Sequence, residues 1–335
     1  MSQIDHNLKL PKNLYLETTN RCNLKCRGCI LYGGKREPER DISLKDFYLI
    51  TDQLADLEQV TLHGVGEPLL NQDISAMVRH LKKRNVYTLF NSNGILLDHK
   101  RQHDLIRAGL DELRISLDAA SAEGYKKIRN SHDFDRIVQN LRSLKNLQKA
   151  QSLIKPKLSL WFLGTKDNIS EISEFVKLAA DIKIREVYLQ RLVYFQDDEG
   201  YGLARGDMSL HGSNDEAPEL IQKSQELAAS LGIQFNASGL CLPTESIRHD
   251  SAAAMPWRKC YRPQTLMYIT ANGNVLPCCI APFATVDYAA LILGNVFESS
   301  LEKIWLGAGY KNFRNQLKTA DPPTCCQACG VLWSL

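Results

Sequence analysis

No window of this sequence approaches the roughly 18 consecutive apolar residues that a membrane-spanning helix needs. The opening MSQIDHNLKLPKN also lacks the apolar centre of a secretory signal. Membrane insertion and export are therefore not expected, and the chain reads as cytoplasmic. Charge of one sign is missing as well: 41 Lys and Arg face 38 Asp and Glu, a formal charge of +3. That balance provides no basic field of the kind that coats a nucleic acid, so neither nucleic acid nor membrane is expected as a partner. Internal repeats and low-complexity tracts are absent too, which excludes solenoids and disordered scaffolds. Hydrophobic residues make up 44% of the 335 positions, enough to build one large domain with an appendage, or two domains.

Cysteine is not scarce. Cys22, Cys26 and Cys29 cluster near the start, Cys260, Cys278 and Cys279 come much later, Cys325, Cys326 and Cys329 close the chain, and Cys241 stands apart. Cytosolic thiols stay reduced and a chain of this length needs no staples, so the clusters point to metal ligands rather than disulfides.

From residue 14 to 192, β-like runs alternate with amphipathic stretches. Strands are expected at 13–19, 59–64, 86–92, 111–118, 157–163 and 185–192, and helices near 43–57, 73–84, 98–109, 134–150 and 169–182. Ser43 and Asp73 stand where N-caps would help, and Gly109 where a helix can stop. Six β/α units with right-handed crossovers predict an α/β fold, a partial (β/α)6 TIM-like barrel with its chemistry at the carboxyl ends of the strands. CNLKCRGC, GVGEP, NSNG and SLDAAS follow the first four strands in turn, so the unusual residues fall on one rim. The barrel is expected over 1–195, a linker with a bridging helix and strand over 196–255, and a small cysteine-rich α+β domain over 256–335. In that last domain LMYITANGNVLPCC reads as a hairpin turning at Asn272 and Gly273.

A four-iron cluster on three thiolates keeps one iron without a protein ligand, whereas four thiolates describe an electron carrier or a structural site. The same three thiols with a distant fourth ligand such as His63 would describe zinc. At this point the sequence resembles a known family. C-x3-C-x2-C after the first strand of a six-unit β/α chain, together with GVGEP, is similar to the radical S-adenosylmethionine (SAM) enzymes over residues 10 to 195. The resemblance implies a SAM-binding [4Fe-4S] cluster on Cys22, Cys26 and Cys29, reductive cleavage of SAM to a 5'-deoxyadenosyl radical, and abstraction of hydrogen from a substrate C–H bond. It places Gly66, Glu67 and Pro68 at the SAM amino group, Asn93 with Gly94 after the third strand, Ser116 and Asp118 near the ribose, and Arg129 at the SAM carboxylate. Val65 departs from the family's first glycine in that segment. Gly28 replaces an aromatic residue that many members carry, which shifts adenine packing to a residue such as Tyr32 or Leu189.

Cys260, Gly273 and Cys278 reproduce a C-x(9–15)-G-x4-C pattern that resembles the SPASM/twitch extension. With Cys326 and Cys329 they imply a second, auxiliary [4Fe-4S] cluster of the shorter twitch type. Cys279 and Cys325 could replace Cys278 and Cys326, and zinc on four cysteines is the other reading of the site. If Cys279 is not a ligand, its S–H makes it a candidate catalytic hydrogen donor; the plainer reading is a buried small apolar residue.

These features predict an oxidoreductase that takes hydrogen from a small polar substrate in a two-electron oxidation or dehydrogenation. The alternatives are a radical epimerase or a peptide-modifying maturase using a cysteine hydrogen donor, and, from another class, a non-catalytic iron-sulfur or zinc protein. The lack of a leader-binding segment before the first strand favours a small polar substrate or a leader-independent peptide. The implied partners are that substrate and a reducing electron donor of the flavodoxin or ferredoxin type.

Overall fold

The computed structural model describes residues 8–32, 37–192, 206–210, 216–238, 242–246, 255–283 and 289–327. Its first half is the expected alternation: β1 (Asn13–Leu16), α1 (Leu44–Thr51), β2 (Gln59–Thr61), α2 (Ile74–Lys83), β3 (Tyr87–Ser92), α3 (His99–Ala108), β4 (Glu112–Ser116), α4 (Ala122–Arg129), α5 (Phe134–Ala150), β5 (Lys157–Gly164), α6 (Ile172–Asp181) and β6 (Glu186–Arg191). Period decides the elements. Along β5 and β6 alternate residues are buried against the helices while Trp161, Leu163, Tyr188 and Gln190 face the other way. Ser43 caps α1 by accepting the Asp46 N–H at 3.1 Å. Asp73 precedes α2 without a capping bond; its own N–H is instead taken by Asn71 Oδ1 at 2.9 Å.

The sheet runs further than six strands. After α7 (Ala217–Ser230), β7 (Gln234–Ala237) pairs parallel with β6. At the other edge β8 (Leu266–Ile269) pairs parallel with β1, and β9 (Asn274–Leu276) and β10 (Gly294–Asn295) follow antiparallel. One ten-stranded sheet results, in the order β10-β9-β8-β1-β2-β3-β4-β5-β6-β7. The hairpin between β8 and β9 turns at the expected place. Gly273 has φ +84°, and a Cβ there would stand 2.4 Å from the Phe297 ring, so the turn needs glycine.

The main core lies between the sheet and its helices, where Leu16, Val60, Phe90, Ile115 and Phe162 meet Phe47, Met77, Leu141 and Phe175. Each such side chain contributes about 1.5–3 kcal/mol when fully buried. A smaller apolar cluster (Ile30, Tyr268, Leu276, Phe313, Leu317) lies under the C-terminal segment, with Cys278, Cys279 and Cys326 packed against it. Among the described residues, no helix is long and apolar enough to cross a membrane.

Candidate active site

The carboxyl ends of the strands surround a cavity of about 510 Å³. The loop after β1 brings Cys22, Cys26 and Cys29 to its wall, all half-buried and none of them in a disulfide. Cys22 Sγ accepts the Leu24 N–H at 3.5 Å, and Arg129 Nη1 donates to Cys26 Sγ at 3.6 Å. Burial pushes the Cys22 thiol up to about 12, and Glu67 and the neighbouring thiols add to the rise. Unaided, the Cys22 thiol stays protonated, and a bound metal centre would favour its thiolate. Three soft donors on one short loop, with N–H groups aimed at two sulfurs, fit a cluster held by three cysteines. Among the described residues no three ligating side chains are yet drawn onto one point.

The rest of the rim is tied to this loop. Gly66 sits against its backbone, where a Cβ would stand 2.3 Å from the Thr19 carbonyl oxygen and 2.6 Å from that of Arg21. Glu67 N–H donates to the Arg21 carbonyl at 2.8 Å. The Glu67 carboxylate is 2% exposed and accepts from Ser92 Oγ (2.8 Å), Asn93 N–H (2.7 Å) and Leu69 N–H (3.1 Å). Burial raises its pKa. With three of roughly four acceptor positions filled, Glu67 chiefly braces the end of β3. Pro68 is buried in the short turn that follows. Asn93 reaches across to Asn23 Oδ1 at 2.8 Å and so joins the third strand's end to the cysteine loop.

Ser116 ends β4 and lines the cavity. Asp118 lines it as well, but its carboxylate holds Arg129 in an ion pair and accepts the Leu163 N–H at 2.8 Å. Arg129 comes from α4, an eight-residue helix absent from the sequence expectation; Ser121 caps it through the Gly124 N–H at 3.0 Å. Leu189 is buried in the main core and leaves the cavity wall to its neighbours Tyr188 and Gln190.

From the C-terminal segment, Arg262, Cys279, Ile280, Phe283 and Cys325 face the same cavity, while Cys260, Cys278 and Cys326 do not line it. Cys325 Sγ lies 3.7 Å from Cys326 Sγ. Burial raises the Cys279 thiol, against the pull of Arg262 and the Tyr15 phenol beside it. Cys241, Cys329 and the side chain of Tyr32 lie outside the described residues.

Sequence reasoning missed Tyr15, Arg114, Trp161, Tyr188 and Arg262, all on the cavity wall, and named His63, which is there too, only as the distant ligand of a zinc site. The strand alternation that carries Trp161 and Tyr188 inward was the available signal. His63 Nδ1 accepts the Asn91 N–H at 3.2 Å, which puts its proton on Nε2. Burial, helped by the Arg114 charge, lowers its pKa to about 3 and keeps the ring neutral.

Residues 16–179 match the family described as the Radical SAM superfamily, and residues 260–330 match SPASM, an iron-sulfur cluster-binding domain. The chain is similar to the tungsten-containing aldehyde ferredoxin oxidoreductase cofactor-modifying protein of Pyrococcus furiosus (24% identical; 94% of this chain, 86% of the relative). It is also similar to the mycofactocin maturase MftC of Mycolicibacterium smegmatis (26%; 98% and 78%). The PqqA peptide cyclase of Granulibacter bethesdensis is a third such relative (24%; 96% and 81%). The fold matches that of Streptococcus suis SuiB bound to S-adenosylmethionine, with a TM-score of 0.69 at 19% identity over 95% of this chain and 77% of that one.

Proposed function

We propose, for a chain that belongs to the radical SAM superfamily and carries a C-terminal SPASM domain, that it is a maturase modifying a peptide at an unactivated C–H bond. The observation that carries this reading is one cavity walled both by the cysteine triad and by Cys279 and Cys325 of the C-terminal segment. Cys22, Cys26 and Cys29 would hold a [4Fe-4S] cluster, which would supply the electron for cleavage of SAM into methionine and a 5'-deoxyadenosyl radical. The chain's own residues do the rest of the work. Arg129, set by Asp118, keeps positive charge at the thiol loop, and the rim around Gly66, Glu67, Asn93 and Ser116 receives SAM. Cys260, Cys278, Cys326 and Cys329 would hold an auxiliary cluster, which would leave the Cys279 S–H, on the cavity wall, as a hydrogen donor. In that role the S–H bond breaks, hydrogen joins the substrate carbon radical, and a thiyl is left on Cys279. A cytoplasmic donor of the flavodoxin or ferredoxin type supplies the electrons.

A peptide substrate draws support from the relatives named as a maturase and a peptide cyclase. The oxidation of a small polar substrate, first expected from the sequence, keeps support from the relative named for modifying a cofactor. Deuterium transfer separates the two. Extract from cells grown in deuterated medium is fractionated below 5 kDa and offered to the reconstituted enzyme with SAM and dithionite. Deuterium should enter 5'-deoxyadenosine from this pool and stop doing so once the pool is digested with protease. Transfer that survives digestion contradicts the peptide reading.

A further inference from the structure

Most polar side chains on the cavity wall are engaged with one another. Glu67 braces the end of β3, Asp118 holds Arg129, and Arg114 is paired with Glu112 at 2.7 Å. His63 and Asn91 differ. Both line the cavity, His63 just beyond β2 and Asn91 near the end of β3. The Asn91 backbone N–H donates to His63 Nδ1 at 3.2 Å, which brings the two residues into contact. With Nδ1 occupied the ring proton sits on Nε2, and among the described residues that N–H donates to nothing. The Asn91 side-chain amide has no partner among them either, and its Oδ1 is buried. An unpaired buried polar atom costs stability, and native chains keep few of them.

The chemistry of this pair is uncharged. Burial keeps the His63 ring neutral, so it offers a donor rather than a cation. Asn91 offers both an acceptor and donors. Arg114, its register partner on β4, has its charge met by Glu112. A neutral donor touching a neutral amide complements another amide, which brings one C=O and at least one N–H; a carboxylate would bring acceptors alone. Tyr15, edge to face with His63 at 5.8 Å and beside Cys279, joins the pair to the C-terminal side of the cavity.

We propose that His63 and Asn91 form an amide-reading subsite: His63 Nε2–H donates to a carbonyl of the substrate and the Asn91 amide pairs with a neighbouring N–H, which fixes the C–H bond presented to the cavity. The subsite rests on the reading of the chain as a peptide-modifying enzyme and names the group of the peptide that is held. That amide belongs to the peptide backbone or to an Asn or Gln side chain, and two competitors distinguish them.

The test follows deuterium transfer into 5'-deoxyadenosine by the anaerobic, reconstituted holoenzyme with SAM and dithionite as the deuterated extract pool is diluted. His63→Phe and Asn91→Leu should each need about three- to tenfold more pool for half-maximal transfer, and the rise should appear in the pool requirement, not in the SAM requirement. His63→Gln, which keeps an N–H, should lose less than His63→Phe. Asn91→Leu leaves the backbone N–H to His63 in place, so its urea midpoint without SAM or pool should equal or exceed that of the wild type. Excess N-acetylglycine N'-methylamide or propanamide should depress transfer by the wild type, the stronger competitor naming backbone or side chain; this arm stands even if a variant fails to fold. An unchanged pool requirement, a raised SAM requirement, a lowered midpoint in Asn91→Leu, or no competition from either amide overturns the subsite. Wild-type transfer from a protease-sensitive pool that the variants match overturns this proposal alone; no wild-type transfer, or transfer that survives protease, overturns the reading beneath it and the subsite with it.

Discussion

Arg129 and Asp118 form an ion pair with side chains 17% and 3% exposed. At that depth the pair's cost lies in breaking it, because removal of one partner leaves an uncompensated charge. Arg129→Met should therefore destabilise the chain by about 3–5 kcal/mol, and adding Asp118→Asn should recover part of the loss. Urea denaturation of the wild type, both single variants and the double variant checks this. Gly66 is constrained differently: two carbonyl oxygens occupy the space a Cβ would need. Gly66→Ala must push the GVGEP turn off the cysteine loop, at a cost of about 1–3 kcal/mol, and 5'-deoxyadenosine formation should fall at least tenfold under conditions where the fold persists. The motif residues of this rim were legible in the sequence because they interrupt ordinary strand ends with glycine, cysteine and carboxylate. Tyr15, Arg114, Trp161 and Tyr188 were legible only in part: strand alternation says which residues share a face, but not whether that face meets a core, solvent or a cavity.

Between elements, Glu17 is the fastener. It is 2% exposed at the end of β1 and accepts the Val65 N–H of the loop after β2 (2.8 Å), the Ala271 N–H after β8 (3.0 Å) and the Tyr268 hydroxyl (3.4 Å). Burial lifts its pKa to about 7, although these backbone donors pull the other way. Between the ordinary carboxyl value of 4.5 and about 7, the folded chain holds a proton that the unfolded chain has released. Stability contributed by Glu17 therefore falls as pH rises through that window, by up to about 3 kcal/mol, and is level above it. Urea midpoints from pH 4.5 to 8 should show this slope in the wild type and lose it in Glu17→Gln. A slope unchanged by the substitution contradicts the assignment. The six strands of the barrel were readable from their period. The pairing of β7 with β6 and of β8 with β1 was not, because a strand's alternation records which faces are buried and says nothing of which edge it joins.

For the whole molecule, the C-terminal segment continues the barrel's sheet rather than standing beside it, and both halves wall one cavity. Ending the chain after residue 255 would uncover the β1 edge and strip Ile30, Tyr15 and Val65 of the apolar cluster they pack against; SAM cleavage should then be lost even with the triad intact, as an assay for 5'-deoxyadenosine would show. The central claim is that the triad and the C-terminal cysteines hold two clusters around that cavity, and only one of them opens SAM. Iron and sulfide are measured after anaerobic reconstitution of the wild type and of the combined Cys22→Ala, Cys26→Ala and Cys29→Ala variant, with 5'-deoxyadenosine assayed after SAM and dithionite are added. About eight irons per chain falling to about four, with nucleoside formed by the wild type alone, is the predicted result. Nucleoside formed equally by the variant, or by neither protein, contradicts the account.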